Sequence, residues 1–151
     1  MSDNLDDKDK KILEVLKDHG DFTTRKIAKK TLLPVTTVHN RIRRLKQEKI
    51  IKKFTVDLDY GKVGRGFLVY VLISANLPLL KQKQRSQCDL AKSLMKYDFV
   101  ERVDIVAGGS DLIAVIRVKD VEEYDKVLLS KIQMIEGVDH TQSLIVLHEV
   151  G

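Results

Sequence analysis

Apolar residues in the first third of the chain recur at helical spacing and predict three helices. The first runs from Leu5 to His19, and a short second helix, capped by Thr23 or Thr24, ends near Thr31. The third runs from Pro34 to Glu48. Four apolar residues spaced 3, 4 and 3 apart predict its buried seam, namely Val35, Val38, Ile42 and Leu45. The second and third helices, with the turn between them, predict a helix-turn-helix.

The pattern then changes to strands. Ile50–Asp59 predicts a strand with partial alternation, and the glycine-rich stretch Tyr60–Gly66 predicts a hinge. Beyond it, strands and helices follow in the order β-α-β-β-α-β, at Phe67–Asn76, Leu79–Tyr97, Val100–Val106, Leu112–Val118, Val121–Ile132 and Val138–Val150. Asp120 and Glu123 predict a capping box for the second of these helices. This order is typical of a ferredoxin-like fold.

The predicted fold class is therefore α+β. A winged-helix-like helix-turn-helix domain occupies residues 1–53, a linking strand and hinge occupy 54–66, and a ferredoxin-like domain occupies 67–151. We expect the last domain to serve ligand binding and oligomerisation.

Positive charge is concentrated in one short stretch. From Arg25 to Lys53 the sequence has eleven Lys or Arg residues and one acid, Glu48, a balance of +10 in a chain whose net charge is +5. The remaining residues therefore balance to −5. A folded domain does not need such a cluster, whereas a surface that binds a polyanion does. Because the cluster coincides with the helix-turn-helix, the sequence predicts binding to double-stranded DNA.

A helix of this width fits the major groove. Its short polar side chains between Thr36 and Asn40, with Arg43, can approach base edges, and Arg44 and Lys46 can reach phosphates. Arg41 lies closer to the buried seam, so a salt bridge to the first helix and a phosphate contact both stay open for it. The predicted DNA-binding residues are Arg25, Lys26, Thr36, Thr37, His39, Asn40, Arg43, Arg44 and Lys46.

Other chemistries find little support in the sequence. The single cysteine, Cys88, allows no intrachain disulfide, and no histidine pair has metal-ligand spacing on one helix. Neither a nucleotide-binding loop nor a catalytic constellation is present. We therefore predict no metal, no cofactor and no catalytic residue. The acidic start and the lack of a long apolar run predict a soluble, cytoplasmic protein.

The stretch Gly108–Gly109–Ser110–Asp111 has two interpretations that can coexist. It is a tight hairpin connection, in which glycines supply positive φ and Asp111 bonds backbone amides. Its open backbone N–H groups and Asp111 could also face a small amphoteric ligand.

The sequence resembles the leucine-responsive regulator/asparagine regulator (Lrp/AsnC) family, also called feast/famine regulatory proteins. The resemblance rests on weak motifs in the family's order, namely LDDKDKKILEVLKDHG at Leu5–Gly20, TVHNRIRRL at Thr37–Leu45, IIKKFTVDLDYGKVG at Ile50–Gly64, GGSD at Gly108–Asp111 and EGVDHTQSLIVL at Glu136–Leu147. It implies a DNA-binding regulator whose C-terminal domain forms a homodimer, commonly within an octamer. It also implies that an effector, frequently an amino acid, binds between dimers near Gly108–Asp111.

The sequence departs from the family at several positions. Leu32 and Lys49 stand where glycine is usual, and Pro34 stands where a serine would cap the third helix. The stretch Leu77–Arg85 is longer and more basic than usual. Two rival functions stay open: an architectural DNA-binding protein without an effector, and an enzyme similar to the sirohaem decarboxylases, with His140 or His148 in its site.

Overall fold

The computed structural model describes residues 5–151, so the first four residues of the predicted domain 1–53 lie outside it. The described chain divides into two compact units, one ending at Asp57 and one beginning at Leu58. The first unit has three helices: α1 (Asp7–Asp18), α2 (Thr24–Thr31) and α3 (Val35–Gln47). Among residues 5–151, no helix is both long enough and apolar enough to cross a membrane.

Local signals explain where the helices of the first unit begin and end. The Thr23 hydroxyl accepts a hydrogen bond from the Lys26 amide and starts α2. Leu32 ends α2 at φ 59°, and Lys49 follows α3 at φ 60°. Both backbones are left-handed, a conformation that favours glycine, so these two substitutions carry strain. Pro34 precedes α3 and supplies no side-chain cap.

The core of the first unit is small. Ile12, Ile27, Ala28 and Val38 form its buried centre. Within the predicted seam of α3, Val38 and Leu45 are fully buried and Ile42 is half-buried. Val35 is 44% exposed, so its assignment to the seam was wrong. It is the first residue of α3 and lies beside polar residues at the start of α2.

The predicted strand Ile50–Asp59 was wrong, because the structure has no strand in this segment. A strand needs a backbone partner, and the first unit offers only helices. The segment Ile50–Thr55 instead lies across α1, where it lines a groove with Leu13 and Leu16. The Lys46 ammonium lies 5.8 Å from the centre of the Phe54 ring.

The second unit is built on a four-stranded antiparallel sheet with the strand order β2-β3-β1-β4. Its strands are β1 (Phe67–Ala75), β2 (Val100–Ile105), β3 (Leu112–Val118) and β4 (Val138–Ile145). Its helices are α4 (Leu77–Gln82), α5 (Gln87–Met95) and α6 (Val121–Val127). Central strand β1 pairs Val71 with Ala114 on one side and with Ser143 on the other. The predicted ferredoxin-like α+β fold is confirmed.

The core of this unit lies on one face of the sheet. Alternate residues of β1, Val69, Val71 and Ile73, are fully buried there and pack with helix residues such as Leu90 and Leu94. The predicted single helix Leu79–Tyr97 was wrong, because α4 and α5 are separate helices.

The break between α4 and α5 has a local cause. Gln84 adopts φ 54°. The Ser86 hydroxyl then accepts a hydrogen bond from the Asp89 amide, and the Asp89 carboxylate accepts one from the Ser86 amide. This reciprocal capping box starts α5 as a new helix.

The last helix also differs from its prediction. It is α-helical only to Val127 and continues as a π-helical turn at Leu128–Ile132. Asp120 caps it by accepting from the Glu123 amide, but the Glu123 carboxylate accepts from the Lys119 amide, so the predicted reciprocal box is half formed.

One nearly buried arginine ties distant parts of the second unit together. Arg117, 9% exposed, donates from Nε to Glu101 at 2.5 Å and from Nη2 to Glu149 at 2.7 Å. Its guanidinium lies 3.9 Å from the centre of the Tyr60 ring. These contacts fasten the residues after β4 and the segment before β1 to strand β3. The hydrogen bonds that Arg117 donates to Glu149 and Glu101 raise the pKa of Arg117 above its ordinary range.

Candidate DNA-binding face and effector loop

The exposed side of α3 brings most of the predicted DNA-binding residues together. Along α3, Thr36, His39 and Asn40 are exposed near its start, and Arg43 and Lys46 are exposed near its end. Thr37 is half-buried. The side chains on the first half of α3 are short and can approach a base edge, and the cations follow one to two turns later.

Helix α2 contributes to the same face. Arg25 and the preceding Thr23 and Thr24 line a shallow depression with Val35, Thr36, His39 and Asn40. Lys26 is exposed beside it, with its ammonium 5.4 Å from the centre of the Phe22 ring. We call the exposed side of α3 together with Arg25 and Lys26 the reading face.

Two arginines of α3 form ion pairs with acids at the start of α1 and so lie outside the reading face. Arg41 Nη1 lies 2.6 Å from both carboxylate oxygens of Asp6 and 3.1 Å from Asp9 Oδ1. Arg44 Nη2 lies 2.5 Å from Asp9 Oδ2. The carboxylate of Asp9 is fully buried, so these ion pairs fix α3 against α1. Of the two roles left open for Arg41, the structure shows the salt bridge.

Arg44 was predicted to reach phosphates, and the structure instead pairs it with Asp9. If Arg44 turned away to a phosphate, the buried Asp9 carboxylate would lose the shorter of its two arginine contacts and keep only Arg41, at 3.1 Å. The uncommitted cations of α3 are therefore Arg43 and Lys46 rather than Arg44 and Lys46.

The acids of this cluster also start α1. Asp6 Oδ1 accepts from the Asp9 amide at 2.9 Å, and Asp9 Oδ2 accepts from the Asp6 amide at 3.2 Å, forming a capping box. Hydrogen bonding from Arg41, with the Asp9 amide second, lowers the pKa of Asp6 to about 2. The bond to Asp6 in turn raises the pKa of Arg41.

The sequence contained a signal for this cluster. Asp9 lies on the apolar stripe of α1, at i+4 from Leu5 and i−3 from Ile12. An acid on a buried stripe requires a partner, because an unpaired buried charge is costly. The partner was identifiable as a cation flanking the seam of a neighbouring helix.

The loop Gly108–Asp111 connects β2 and β3. The Asp111 carboxylate accepts a hydrogen bond from the Ala75 amide at 2.8 Å, and the Asp111 amide donates to the Ile73 carbonyl. Asp111 therefore has the structural role that the hairpin interpretation gives it. Gly108 has φ 146°, and neither Gly108 nor Gly109 has an atom within 4 Å of the position where a Cβ would stand.

The loop borders a second depression, which extends onto the sheet face away from the helices. It is lined by Leu72, Val106, Ala107, Gly108, Gly109, Ser110, Ile113 and Gln142. Gly108, Gly109 and Ser110 thus line a depression that a small molecule can enter. Asp111 does not line it and instead holds the loop by its hydrogen bonds to the backbone of β1.

No secondary structure of the second unit covers that sheet face. Its residues alternate with those of the core, and the apolar ones are Leu68, Tyr70, Leu72, Ile113, Val115 and Leu144. Tyr70 is 39% exposed and Leu144 is 44% exposed. We call this surface the open sheet face. Within residues 5–151, no group of three or more His, Cys, Asp or Glu residues could hold a metal ion.

Comparisons with known proteins agree with both units. A family described as "Winged helix-turn-helix DNA-binding" matches residues 5–52, and one described as "Lrp/AsnC ligand binding domain" matches residues 70–151. The HTH-type transcriptional regulator FL11 of Pyrococcus furiosus is 37% identical over 143 residues, covering 95% of this chain and 89% of that protein.

Solved structures of regulators have the same fold. E. coli AsnC superposes with a TM-score of 0.81 at 23% identity, covering 96% of this chain and 93% of that one. A feast or famine regulatory protein from M. tuberculosis, complexed with L-methionine, superposes with a TM-score of 0.85 at 26% identity, with the same two coverages.

The fold and the reading face define a helix-turn-helix transcriptional regulator with a separate ferredoxin-like domain. Within that class, the chain belongs to the Lrp/AsnC family, which confirms the resemblance drawn from its motifs.

Proposed function

We propose that the reading face recognises operator DNA through the major groove. The supporting observation is the division of cations on α3. Arg41 and Arg44 are held by Asp6 and Asp9, while Arg43 stays exposed beside the short polar side chains of the first half. Thr36, His39 and Asn40 contact bases, with Thr37 at their edge. Arg43, Lys46, Arg25 and Lys26 contact phosphates or base edges.

We propose that two copies of the chain associate through the open sheet face. On this face Tyr70 and Leu144 are exposed, with Leu72 and Ile113 half-buried, and antiparallel sheets pack face to face through such apolar patches. A homodimer presents two reading faces, so the operator is roughly palindromic with half-sites about 34–36 Å apart. Dimers assemble further into a higher homo-oligomer such as an octamer.

We infer that a small amphoteric effector, such as an amino acid, binds beside Gly108, Gly109 and Ser110. Glycine amides without a covering side chain can receive a carboxylate, as backbone nests do. The M. tuberculosis relative complexed with L-methionine supports this class of ligand. Effector binding then shifts the assembly, and so the affinity for DNA.

Calorimetric titration of the full chain with each amino acid separates this proposal from the architectural rival. Heat from one or a few amino acids supports the effector. A flat result across all of them supports an architectural protein.

We propose that the chain is a cytoplasmic regulator rather than an enzyme. Arg43 and Lys46 of α3 serve phosphate contact, a role that a decarboxylase does not need. Purified protein that carries a coloured tetrapyrrole and fails to bind DNA would support the sirohaem-decarboxylase rival instead.

Neighbouring arginines of α3 provide the test of the DNA contact. First, fragments selected from a random DNA pool give the operator and its half-site spacing. On that operator, Arg43→Ala reduces the dependence of log K on log[salt] by about 0.9 per lost phosphate contact. Arg44→Ala leaves the salt dependence unchanged and lowers the free energy of unfolding by about 1–2 kcal/mol.

Asn40→Ala tests the base contacts of the same helix. It relaxes base preference at one position of each half-site, by about 1–3 kcal/mol of discrimination. If neither Arg43→Ala nor Asn40→Ala changed DNA binding, α3 would not be the recognition helix.

A further inference from the structure

Val35 is an apolar residue on a polar binding face. It is the first residue of α3, and 44% of its surface is exposed, whereas Val38, one turn further along the helix, is fully buried. Exposure of a single valine is ordinary in itself. The surroundings of Val35 are unusual, because every other residue that lines the same depression has a polar side chain.

The depression joins the two helices of the helix-turn-helix. Val35 forms its apolar part, α2 contributes two threonines and Arg25, and α3 contributes Thr36, His39 and Asn40. Its seven residues include no acid. A polyanion can therefore approach it without repulsion, and Arg25 stands at its side to meet a phosphate.

Val35 also precedes the base-reading residues at helical spacing. His39 lies at i+4 and Arg43 at i+8, so the three share one side of α3. A helix whose start enters the major groove brings its first exposed residues closest to the base edges. Val35 is thus one turn before His39 on the side that faces the bases.

We propose that Val35 is a specificity-determining residue that packs against the C5-methyl group of a thymine in each half-site. The major-groove edges of the four bases otherwise present hydrogen-bond donors and acceptors, so the thymine methyl is the apolar group that a valine can contact there. The proposal rests on the reading of operator DNA by α3. Polar neighbours on both helices leave the valine no other apolar partner in the depression.

Deoxyuridine substitution isolates the methyl group, because uracil pairs as thymine does and lacks only that methyl. We replace each thymine of the selected operator singly with deoxyuridine and measure the affinity of the full chain. One position per half-site is expected to lose about fourfold, and replacement in both half-sites about sixteenfold, the contribution of burying one methyl each.

Val35→Ala and Val35→Thr then show whether Val35 causes the effect. With Val35→Ala the preference for thymine over uracil at that position shrinks most, because both γ-methyl groups are lost, and with Val35→Thr it shrinks less, because one γ-methyl group remains. Val35→Thr keeps the shape of the side chain at an exposed site, so it preserves the fold. Val121→Ala is the matched control: Val121 is also the first residue of a helix, is 59% exposed, and lies in the other unit. It keeps the preference for thymine.

The outcomes separate this proposal from the proposed function. Sequence-specific binding with no thymine in the half-site, or with no loss at any deoxyuridine, would overturn the role of Val35 and leave the regulator intact. A loss of the same size as in the wild type in both Val35 variants would assign the methyl contact to another residue and overturn the proposal too. Absence of any sequence-specific DNA binding would overturn both.

Discussion

The two units differ in the interactions that hold them together and in the surface that each leaves exposed. The helical unit has a small apolar core around Ile12 and Val38 and fixes its third helix with two arginines on buried Asp9. The sheet unit has a large, continuous apolar core and leaves its second apolar face, around Tyr70 and Leu144, uncovered. Ion pairs supplement the small apolar core of the first unit, whereas the second unit has enough apolar residues to fill its core and leave others exposed.

The comparison shows that residue type alone does not identify function here. Four arginine or lysine side chains of α3 carry the same charge, and two of them hold the fold. In the sheet, two sets of apolar residues alternate along β1, and only one of them belongs to the core. In each unit, the partners of a side chain decide its role. Variants that remove those partners should therefore change stability in the helical unit and self-association in the sheet unit.

The largest effect is expected in the helical unit. Asp9→Ala removes a fully buried carboxylate and leaves Arg44 without its partner, and it also removes half of the capping box of α1. We expect a loss of about 3 kcal/mol in the stability of this unit. Hydrogen exchange at the amides of Ile12 and Val38 measures it.

Asp7→Ala is the matched control for Asp9, because Asp7 is an exposed acid in the same turn of α1. Its expected loss is below about 1 kcal/mol, from the helix dipole alone. Equal losses for the two variants would show that the arginines contribute nothing beyond the dipole.

The second effect concerns the sheet unit and its self-association. Leu144→Glu places a charge on the open sheet face and is expected to raise the dissociation constant of the dimer about a hundredfold. Analytical ultracentrifugation over a range of concentrations measures it. Leu129→Glu, at an exposed leucine of the π-helical turn, is the control and should leave association unchanged. A dimer of unchanged affinity in Leu144→Glu would place the interface elsewhere.

A smaller effect concerns the strained turn of the helical unit. Leu32→Gly relieves a left-handed backbone and removes a side chain that is 90% exposed. Relief of about 1 kcal/mol is partly offset by the greater entropy of glycine in the unfolded chain. We expect a net gain of about 0.5 kcal/mol, seen as a higher thermal midpoint.

Val56→Gly is the control for that turn, since Val56 is also highly exposed and lacks a positive φ. It should give no gain. A destabilised Leu32→Gly variant would mean that the leucine makes a contact worth more than the strain.

The smallest effect is a pH dependence. The folded pKa of Asp6, about 2, lies below its ordinary value, so its pairing with Arg41 is fully present above about pH 4 and is lost as pH falls toward 2. Asp6→Asn keeps an N-cap side chain but removes the charge. The stability difference between the wild type and Asp6→Asn should therefore shrink between pH 4 and pH 2. A constant difference would show that the charge is not involved.

Periodicity was sufficient to predict much of this fold. Strand Leu112–Val118 was predicted to the residue, because a central strand that is mostly buried shows a long apolar run. The three helices of the first unit were predicted to within two residues at each end, because caps and apolar spacing agree there. The irregular backbone of Ile50–Asp59 could not be predicted, because its residue pattern is that of a strand. The segment forms no strand because its unit offers no backbone partner.

The candidate site was predictable in part. Exposure on α3 follows from the helical wheel, which placed Asn40 and Arg43 outward. The pairing of Arg44 could not be predicted from that wheel, because it depends on where α1 lies beside α3. Val35 was assigned to the seam by spacing alone, although a helix start can extend past its neighbours.

The arginine that joins Tyr60, Glu101 and Glu149 has a practical consequence for handling this protein. Glu149 is two residues from the last residue of the chain, yet it is a partner of the nearly buried Arg117. Hydrogen bonding from Arg117 lowers the pKa of Glu149, so the pair stays charged in ordinary buffers. A variant that ends before Glu149 would therefore remove one of the two carboxylates that pair with Arg117 and leave Glu101 and the Tyr60 ring as its partners.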